Sequence, residues 1–428
     1  MFYNVEDCIR FIESRKRNDR SLENMYKLCD FFGNPQESIK FIHVAGTNGK
    51  GSVTSYLRYI LCENQNMSIG TFTSPYIECF NERIQINGIF ISDADLIYYT
   101  NKIASNFDTL LSRGIEEPGF FAFCTLMALL YFRDKKVDLA IMEVGIGGLL
   151  DCTNVITPLV SIISNVSYDH MNLLGNTLSE IATQKLGIVK KNVPLVTIEN
   201  EEINDLIMRT CKEKNSECVI VRKKDIEVLK SDLTETVFNY KEYLNIHLKM
   251  LGKYQAENAS IVIEACKILK QMGYKIDEAD IYNGLEQTFW LGRLEVLQED
   301  PIIIFDGAHN IDGINRLYEF LLHLKELYPS YKLRLVLAIS ANKEKFKMIE
   351  RIQSIADEII FTTFNYKRSE DGMILYGASN HQNKQYIDNV SEILELAINS
   401  SPDYINCFTG SLYFVSELRK LFFAMTNK

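Results

Sequence analysis

Lys50 lies between two glycines inside the run GTNGKGS at 46–52, a density of small and cationic residues suited to holding an anion. Glycines 46, 49 and 51 let the main chain come close to a ligand and turn its N–H groups toward it, and Lys50 adds a point charge. Thr47, Asn48 and Ser52 place hydroxyl and amide groups in the same turn. The chemistry implied is phosphate binding. The spacing departs from G-x-x-x-x-G-K-[ST], since Gly51 separates Lys50 from Ser52 and only Thr47 and Asn48 separate Gly46 from Gly49. A second chemical signal is Glu143, which ends the apolar run LAIM: a carboxylate at the end of a buried strand is costly unless paired or metal-bound.

Such groups need elements to position them. Phe41–Ala45 reads as a buried strand and Val53–Leu61 as the helix after the glycine turn, so an anion there would meet the positive end of a helix. Residues 68–88 read as a short strand, a turn at Ser74-Pro75 and an extended stretch closing at Asn87-Gly88, and further buried strands are read at 137–148, running into a glycine turn, 158–167 and 193–198, with helices at 93–113, 118–135 and 177–190. This alternation predicts a mostly parallel sheet covered on both faces, with ligands beyond the carboxyl ends of the strands, where Lys50, Glu143 and His170 all fall. Residues 199–250 read as peripheral strands and a helix, and 251–269 as a helix entered through Gly252. A second strand–turn–helix series begins at PIIIFDGAHN (301–310) and continues through 331–340, 357–364 and 406–411, so a domain boundary is expected near 290–300.

Composition narrows the function. A net charge of -10 over 428 residues argues against a general nucleic-acid or membrane-surface binder, because those partners select clustered positive charge. No run approaches the ~18 apolar residues that span a bilayer, and the first residues hold no apolar signal core, so the cytoplasm is expected. The ten cysteines are scattered without a C-x-x-C pair, the pattern of reduced thiols rather than of a disulfide or zinc framework.

The motifs also occur in a telling order: GTNGKGS (46–52), FTSP (72–75), NERI (81–84), EVGIGG (143–148), DCTNVI (151–156), DHMNLLG (169–175), KLGIVK (185–190), GKYQAENA (252–259), GRLE (292–295), DGAHN (306–310) and TGSLY (409–413). Together they resemble the folylpolyglutamate synthase / dihydrofolate synthase family of the Mur ligase superfamily, over roughly residues 20–420. The resemblance implies an α/β protein with an N-terminal P-loop domain, like the central domain of Mur ligases, at 1–293, and a smaller C-terminal Rossmann-like domain at 294–428. It implies a ligase that uses ATP and two Mg²⁺ ions, with a monovalent cation as a further candidate, and that acts on folate and L-glutamate as a monomer. Nucleotide would be held by Gly46, Thr47, Asn48, Gly49, Lys50, Gly51 and Ser52, with Asn258, Arg293 and Asp306, bridging both domains. Ser74, Glu143 and His170 would surround one metal. Lys185, unremarkable as a sequence position, matches a lysine that is often carbamylated in the family and then helps to hold a second metal; Lys50, His170 and Lys185 would thus be catalytic. Phe120, Phe121, Asp151, Thr153, Asn154 and Arg83 match acid-substrate positions, and His309 and Arg368 are candidates for the amino-acid site.

On the residues alone, the aromatic stretch at 120–123 serves equally as core, Asp306-Gly307 as an ordinary turn, and His170 as a buried structural histidine. This chain also departs from the family pattern. Ala122 stands where glutamate usually follows Phe121, Gln184 stands where glutamate is common, ISANKEK at 339–345 lacks the acidic D-K-D pattern frequent there, and NDRSLENM at 18–25 replaces a glycine-leucine loop. None touches the nucleotide apparatus; what they leave open is the acceptor. The expected reaction is glutamate addition to tetrahydrofolyl-(poly)glutamate, with dihydropteroate, a non-folate acid, or a silent nucleotide-binding module as alternatives.

Overall fold

The structure is a computed structural model that describes residues 1–16, 22–63 and 67–426; within the 18–25 segment, residues 18–21 lie outside the described residues. The chain divides into two units. The first comprises Met1–Glu227, Tyr240–Ile246 and Glu257–Thr288, and the second Val228–Asn239, His247–Ala256 and Phe289–Lys428. This differs from a single cut at 293/294, because two short segments before the boundary group with the C-terminal residues. A sequence pattern reports which residues form a strand, but not which body a short excursion joins.

The first unit is built on an eight-stranded sheet. Its strands are β1 (Lys40–Ala45), β2 (Ile69–Phe72), β3 (Ile84–Ile86), β4 (Ile89–Phe90), β5 (Leu139–Glu143), β6 (Val160–Ile163), β7 (Leu195–Ile198) and β8 (Cys218–Val221). They lie in the order β4-β3-β2-β5-β1-β6-β7-β8. The pairs from β2 through β8 are parallel, and β3 runs antiparallel to both β2 and β4. The hairpin joining β3 to β4 turns on Asn87 (φ 50°) and Gly88 (φ 78°), the left-handed pair that a two-residue loop requires. β1, β5 and β6 are apolar almost throughout because helices cover both faces. On one face the helix Phe120–Asp134 packs with Phe41, Phe72 and Met142; on the other the helix Leu178–Leu186 packs with Ala45, Val144 and Ile163.

A three-stranded sheet of β9 (Ile226–Ser231), β10 (Thr236–Tyr240) and β11 (Tyr243–Leu248) has its residues divided between the units. The second unit carries a six-stranded sheet of β12 (Glu295–Glu299), β13 (Ile302–Phe305), β14 (Lys332–Leu337), β15 (Glu358–Phe361), β16 (Lys384–Tyr386) and β17 (Tyr404–Thr409), in the order β12-β13-β17-β14-β15-β16. Only β12 is antiparallel. Inside this sheet Arg334 donates to Glu358 at 2.8 Å and to Asn406 at 3.0 Å, so its buried charge is matched. Among the described residues no helix is long and apolar enough to cross a membrane, and all ten cysteines are free.

Candidate active site

The order of the sheet puts β1 between β5 and β6, and the chemistry gathers where these three strands end. Val44 pairs with Glu143 across β1 and β5, so the carboxylate stands beside the point where β1 gives way to the glycine turn. The helix Lys50–Glu63 starts within that turn. Gly49 is needed for two reasons: its φ is +82°, and a Cβ there would lie 2.5 Å from Oδ1 of Asn258. Asn258, on the helix Tyr254–Gln271, is thereby pressed against the loop. A Cβ at Gly46 would meet the Ser164 hydroxyl at 1.9 Å.

The residues after β6 hold this loop. Thr47 N donates to Asn165 O at 3.0 Å, Asn48 N to Asn165 Oδ1 at 2.8 Å, and Ser164 Oγ to Asn48 O at 2.5 Å. Thr47 Oγ1 donates to Ser167 O at 3.0 Å. Sequence reasoning passed over Ser164, Asn165 and Ser167; their signal was polar residues crowded at the end of an apolar strand that borders the one carrying the loop. The Lys50 ammonium donates to the carbonyls of Gly46 and Thr47, both at 3.2 Å, curling over its own turn.

Glu143 is 3 % exposed, and Ser74 N donates to its Oε2 at 3.3 Å, joining two residues the motifs had linked only by resemblance. Lys185 is 2 % exposed, near the end of the helix Leu178–Leu186. Burial and, secondarily, the positive charge of Lys50 lower its pKa to about 7, against a smaller opposing pull from Asp169. His170 has φ 51° and precedes the short helix Met171–Leu174, with its N–H donated to Asp169 Oδ1 at 2.8 Å. Among the described residues no three His, Cys, Asp or Glu side chains form a metal-binding group. Mg²⁺ does not require one, since it takes one or two carboxylates and completes its shell with water and substrate phosphates. A buried carboxylate at the strand end beside the phosphate-type loop fits that need.

The turn after β5 is fixed by buried polar side chains. Asp151 accepts from Gly145 N and Ile146 N, both at 3.1 Å, from Thr153 N at 3.0 Å and from Thr153 Oγ1 at 2.6 Å. Burial pushes its carboxyl pKa up while these bonds oppose the shift. Asn154 donates to Leu149 O at 3.0 Å and to Gly187 O at 3.1 Å, fastening the turn to the end of the Lys185 helix. A Cβ on Gly187 would lie 2.3 Å from Leu149 Cα. These side chains thus shape the loop. Phe121 lies against it, with its ring 5.6 Å from that of Phe72, and Phe120 stands 5.1 Å from the Arg83 guanidinium.

In the second unit Asp306 directly follows β13. It is buried, which raises its pKa against the pull of Arg293, and it accepts from Leu294 N at 3.0 Å and Ala308 N at 2.9 Å. Arg293 donates to Gly307 O at 3.4 Å, and His309 Nδ1 donates to the same carbonyl at 2.8 Å. Arg293, Asp306 and His309 therefore form one cluster. Arg368 is exposed, and among the described residues no hydrogen bond or ion pair joins its side chain to Arg293 or Asp306.

A parallel α/β sheet whose central strand opens into a glycine-lysine turn, with a buried carboxylate and a near-neutral lysine beside it, defines a phosphate-handling P-loop protein. Comparison with known proteins narrows this. Residues 117–266 match the Mur ligase middle domain, and residues 292–412 match the Mur ligase glutamate ligase domain. The dihydrofolate synthase/folylpolyglutamate synthase of Bacillus subtilis is 35% identical, over 98% of this chain and 99% of that protein. The crystal structure of folylpolyglutamate synthase from Thermotoga maritima superposes with a TM-score of 0.85 at 31% identity, covering 99% and 97% of the two chains. An FPGS–AMPPCP–folate complex does so at 0.83 and 30%, covering 98% and 99%. The chain belongs to the folylpolyglutamate synthase / dihydrofolate synthase family of Mur ligases.

Proposed function

We propose that this protein joins L-glutamate to the γ-carboxylate of tetrahydrofolyl-(poly)glutamate at the expense of ATP. The observation that carries the reading is the gathering of the Lys50 turn and Glu143 at the strand ends, with the buried Lys185 near enough to feel the charge of Lys50, in a chain that matches folylpolyglutamate synthases along nearly its whole length. A carboxylate oxygen attacks the γ-phosphorus, the bond to the ADP oxygen breaks, and an acyl phosphate forms. The glutamate amine then attacks the acyl carbon, phosphate leaves, and the ammonium proton passes to solvent. Phosphoryl transfer asks chiefly for positioning and for neutralisation of charge. The amides of Gly46–Ser52 and the Lys50 ammonium supply both; Asn258, Arg293 and Asp306 are assigned as further nucleotide contacts.

Mg²⁺ would be held by Ser74, Glu143 and His170, with a carbamylated Lys185 for a second ion, and would supply charge neutralisation at the phosphates. Asp151, Thr153, Asn154, Phe120 and Phe121 are assigned to shaping the acid site, and His309 and Arg368 to the amino-acid site. The B. subtilis relative is named for both activities, which favours dihydropteroate as a second acid.

The test is phosphate release from ATP with Mg²⁺ and L-glutamate, offering tetrahydrofolate or dihydropteroate. Tetrahydrofolate should stimulate release, and Glu143→Ala should reduce it about 100-fold or more, the scale expected for losing an electrostatic group at the reacting centre. Stimulation by neither acid would sink the reading, and full activity in Glu143→Ala would sink the metal assignment.

A further inference from the structure

Glu82 is a buried carboxylate, and its side chain is spent on the main chain of the loop that carries Ser74. Its Oε2 accepts from Ile77 N at 2.8 Å, and its Oε1 accepts from Glu78 N at 2.6 Å and Cys79 N at 2.8 Å. The last of these bonds belongs to a capping box at the start of the short helix Phe80–Arg83. A cap needs no more than that. Ile77 and Glu78 precede the helix, so the other two bonds hold the loop itself. Successive N–H groups converging on one carboxylate make a charge-assisted clamp, stronger than the same number of bonds to a neutral acceptor.

The other end of the loop is tied to the same place. Phe72, the last residue of β2, pairs with Met142 on β5. Thr73 then donates its N–H to Arg83 O at 3.0 Å and its hydroxyl to Glu82 O at 3.3 Å. Ser74, Pro75 and Tyr76 alone lie between this anchor and the clamp on Ile77. Ser74 is the residue whose N–H reaches Glu143 Oε2 at 3.3 Å. The main chain of Glu82 and its carboxylate thus bracket Ser74 from both sides, and the bracket fixes where Ser74 meets the strand end that carries Glu143.

We propose that Glu82 is a positioning residue for the metal end of the site: without touching substrate, its carboxylate clamps the loop so that Ser74 is held against Glu143. The proposal rests on the assignment of Ser74 and Glu143 to Mg²⁺, and not on which acid the enzyme takes. The clamp acts before any acid arrives, so it can be read from nucleotide binding.

Calorimetry of AMPPCP binding to the full-length protein, in Mg²⁺ and in EDTA, reads the site without turnover. In Mg²⁺, E82Q should weaken binding about 10–100-fold, the range for losing a group that orients a metal ligand, because its amide nitrogen would face N–H groups that need an acceptor. E82D keeps the charge on a shorter arm and should recover part of the loss; should E82Q fail to fold, E82D carries the same comparison. In EDTA the wild type and both variants should bind alike. S74A should also weaken binding in Mg²⁺, and the S74A/E82Q double variant should be little weaker than S74A, because Glu82 acts through Ser74. Hydrogen exchange should quicken in E82Q at the amides of 77–79. Losses that multiply in the double variant, or an equal loss in Mg²⁺ and in EDTA, would make Glu82 a structural cap and overturn the proposal. A loss in S74A and Glu143→Ala without one in E82Q would overturn the clamp alone, whereas unchanged binding in both S74A and Glu143→Ala would sink the metal assignment and the clamp with it.

Discussion

Lys185 is a case in which burial gives a residue a chemistry that its type does not announce. In sequence it sits beside Gln184 and Leu186 in an ordinary helical pattern, and only resemblance singles it out. Burial brings its pKa to about 7, so the neutral amine, the form that attacks CO₂, grows as pH rises through 7. The step forms an N–C bond, moves one C=O electron pair to oxygen and releases a proton, turning a cation into the carboxylate assigned above to a second metal. Unfolded lysine keeps its proton to about 10.4, so folding here costs less as pH rises from 7 toward that value. With ¹³C-bicarbonate, a carbamate resonance should appear at pH 8, weaken below pH 7 and be absent in Lys185→Arg, and phosphate release should fall in CO₂-depleted buffer. Wild-type protein with no such resonance at pH 8 would overturn the carbamate.

The turn from Gly145 to Asp151 shows what was legible one level up. The buried strand before it, the glycines within it and the strand that follows at 158–167 were readable because apolar runs and glycine clusters are local signals. So were the central strands of both sheets. What local signals could not carry was which polar side chain would be spent on the chain itself: Asp151, Thr153 and Asn154 matched substrate positions, and the structure uses their hydrogen bonds to hold the turn. Ser164 and Asn165 were missed for the converse reason, since their partners lie more than a hundred residues away along the chain. Short edge strands such as β12 and β16 also escaped, having too few apolar residues to stand out. If Asp151 serves the loop, Asp151→Ala should lower stability to urea by ~2–4 kcal/mol, the range for breaking a buried hydrogen-bond network, and reduce kcat. A raised KM for the acid at unchanged stability would assign the carboxylate to substrate instead.

At the scale of the whole molecule, the first unit conceals a proton-linked term in its centre. His43, on β1, is 0 % exposed, and its Nε2 lies 2.8 Å from Thr153 Oγ1. Because the threonine hydroxyl donates to Asp151, the histidine must donate to it, which fixes the neutral tautomer with hydrogen on Nε2. Burial, aided by the charge of Lys190, lowers the His43 pKa to about 3. Unfolded histidine titrates near 6.5. Between these values the unfolded chain binds a proton that the folded chain does not, so stability falls as pH drops through that window, by up to ~1.4 kcal/mol per pH unit. Asp151 and Asp306, whose pKa values are raised, act with the opposite sign around the carboxylate range, so the net slope mixes several groups. Comparison with His43→Gln isolates the histidine, since the glutamine amide can still donate toward Thr153 and carries no titrating group. Urea unfolding of both proteins at pH 7.5, 6.0 and 5.0 should show the variant less stable at pH 7.5, the gap narrowing by about 1 kcal/mol per unit as pH falls below 6.5. A gap that stays constant from pH 7.5 to 5.0 would mean that His43 takes up its proton in the folded state and is not held neutral by the sheet.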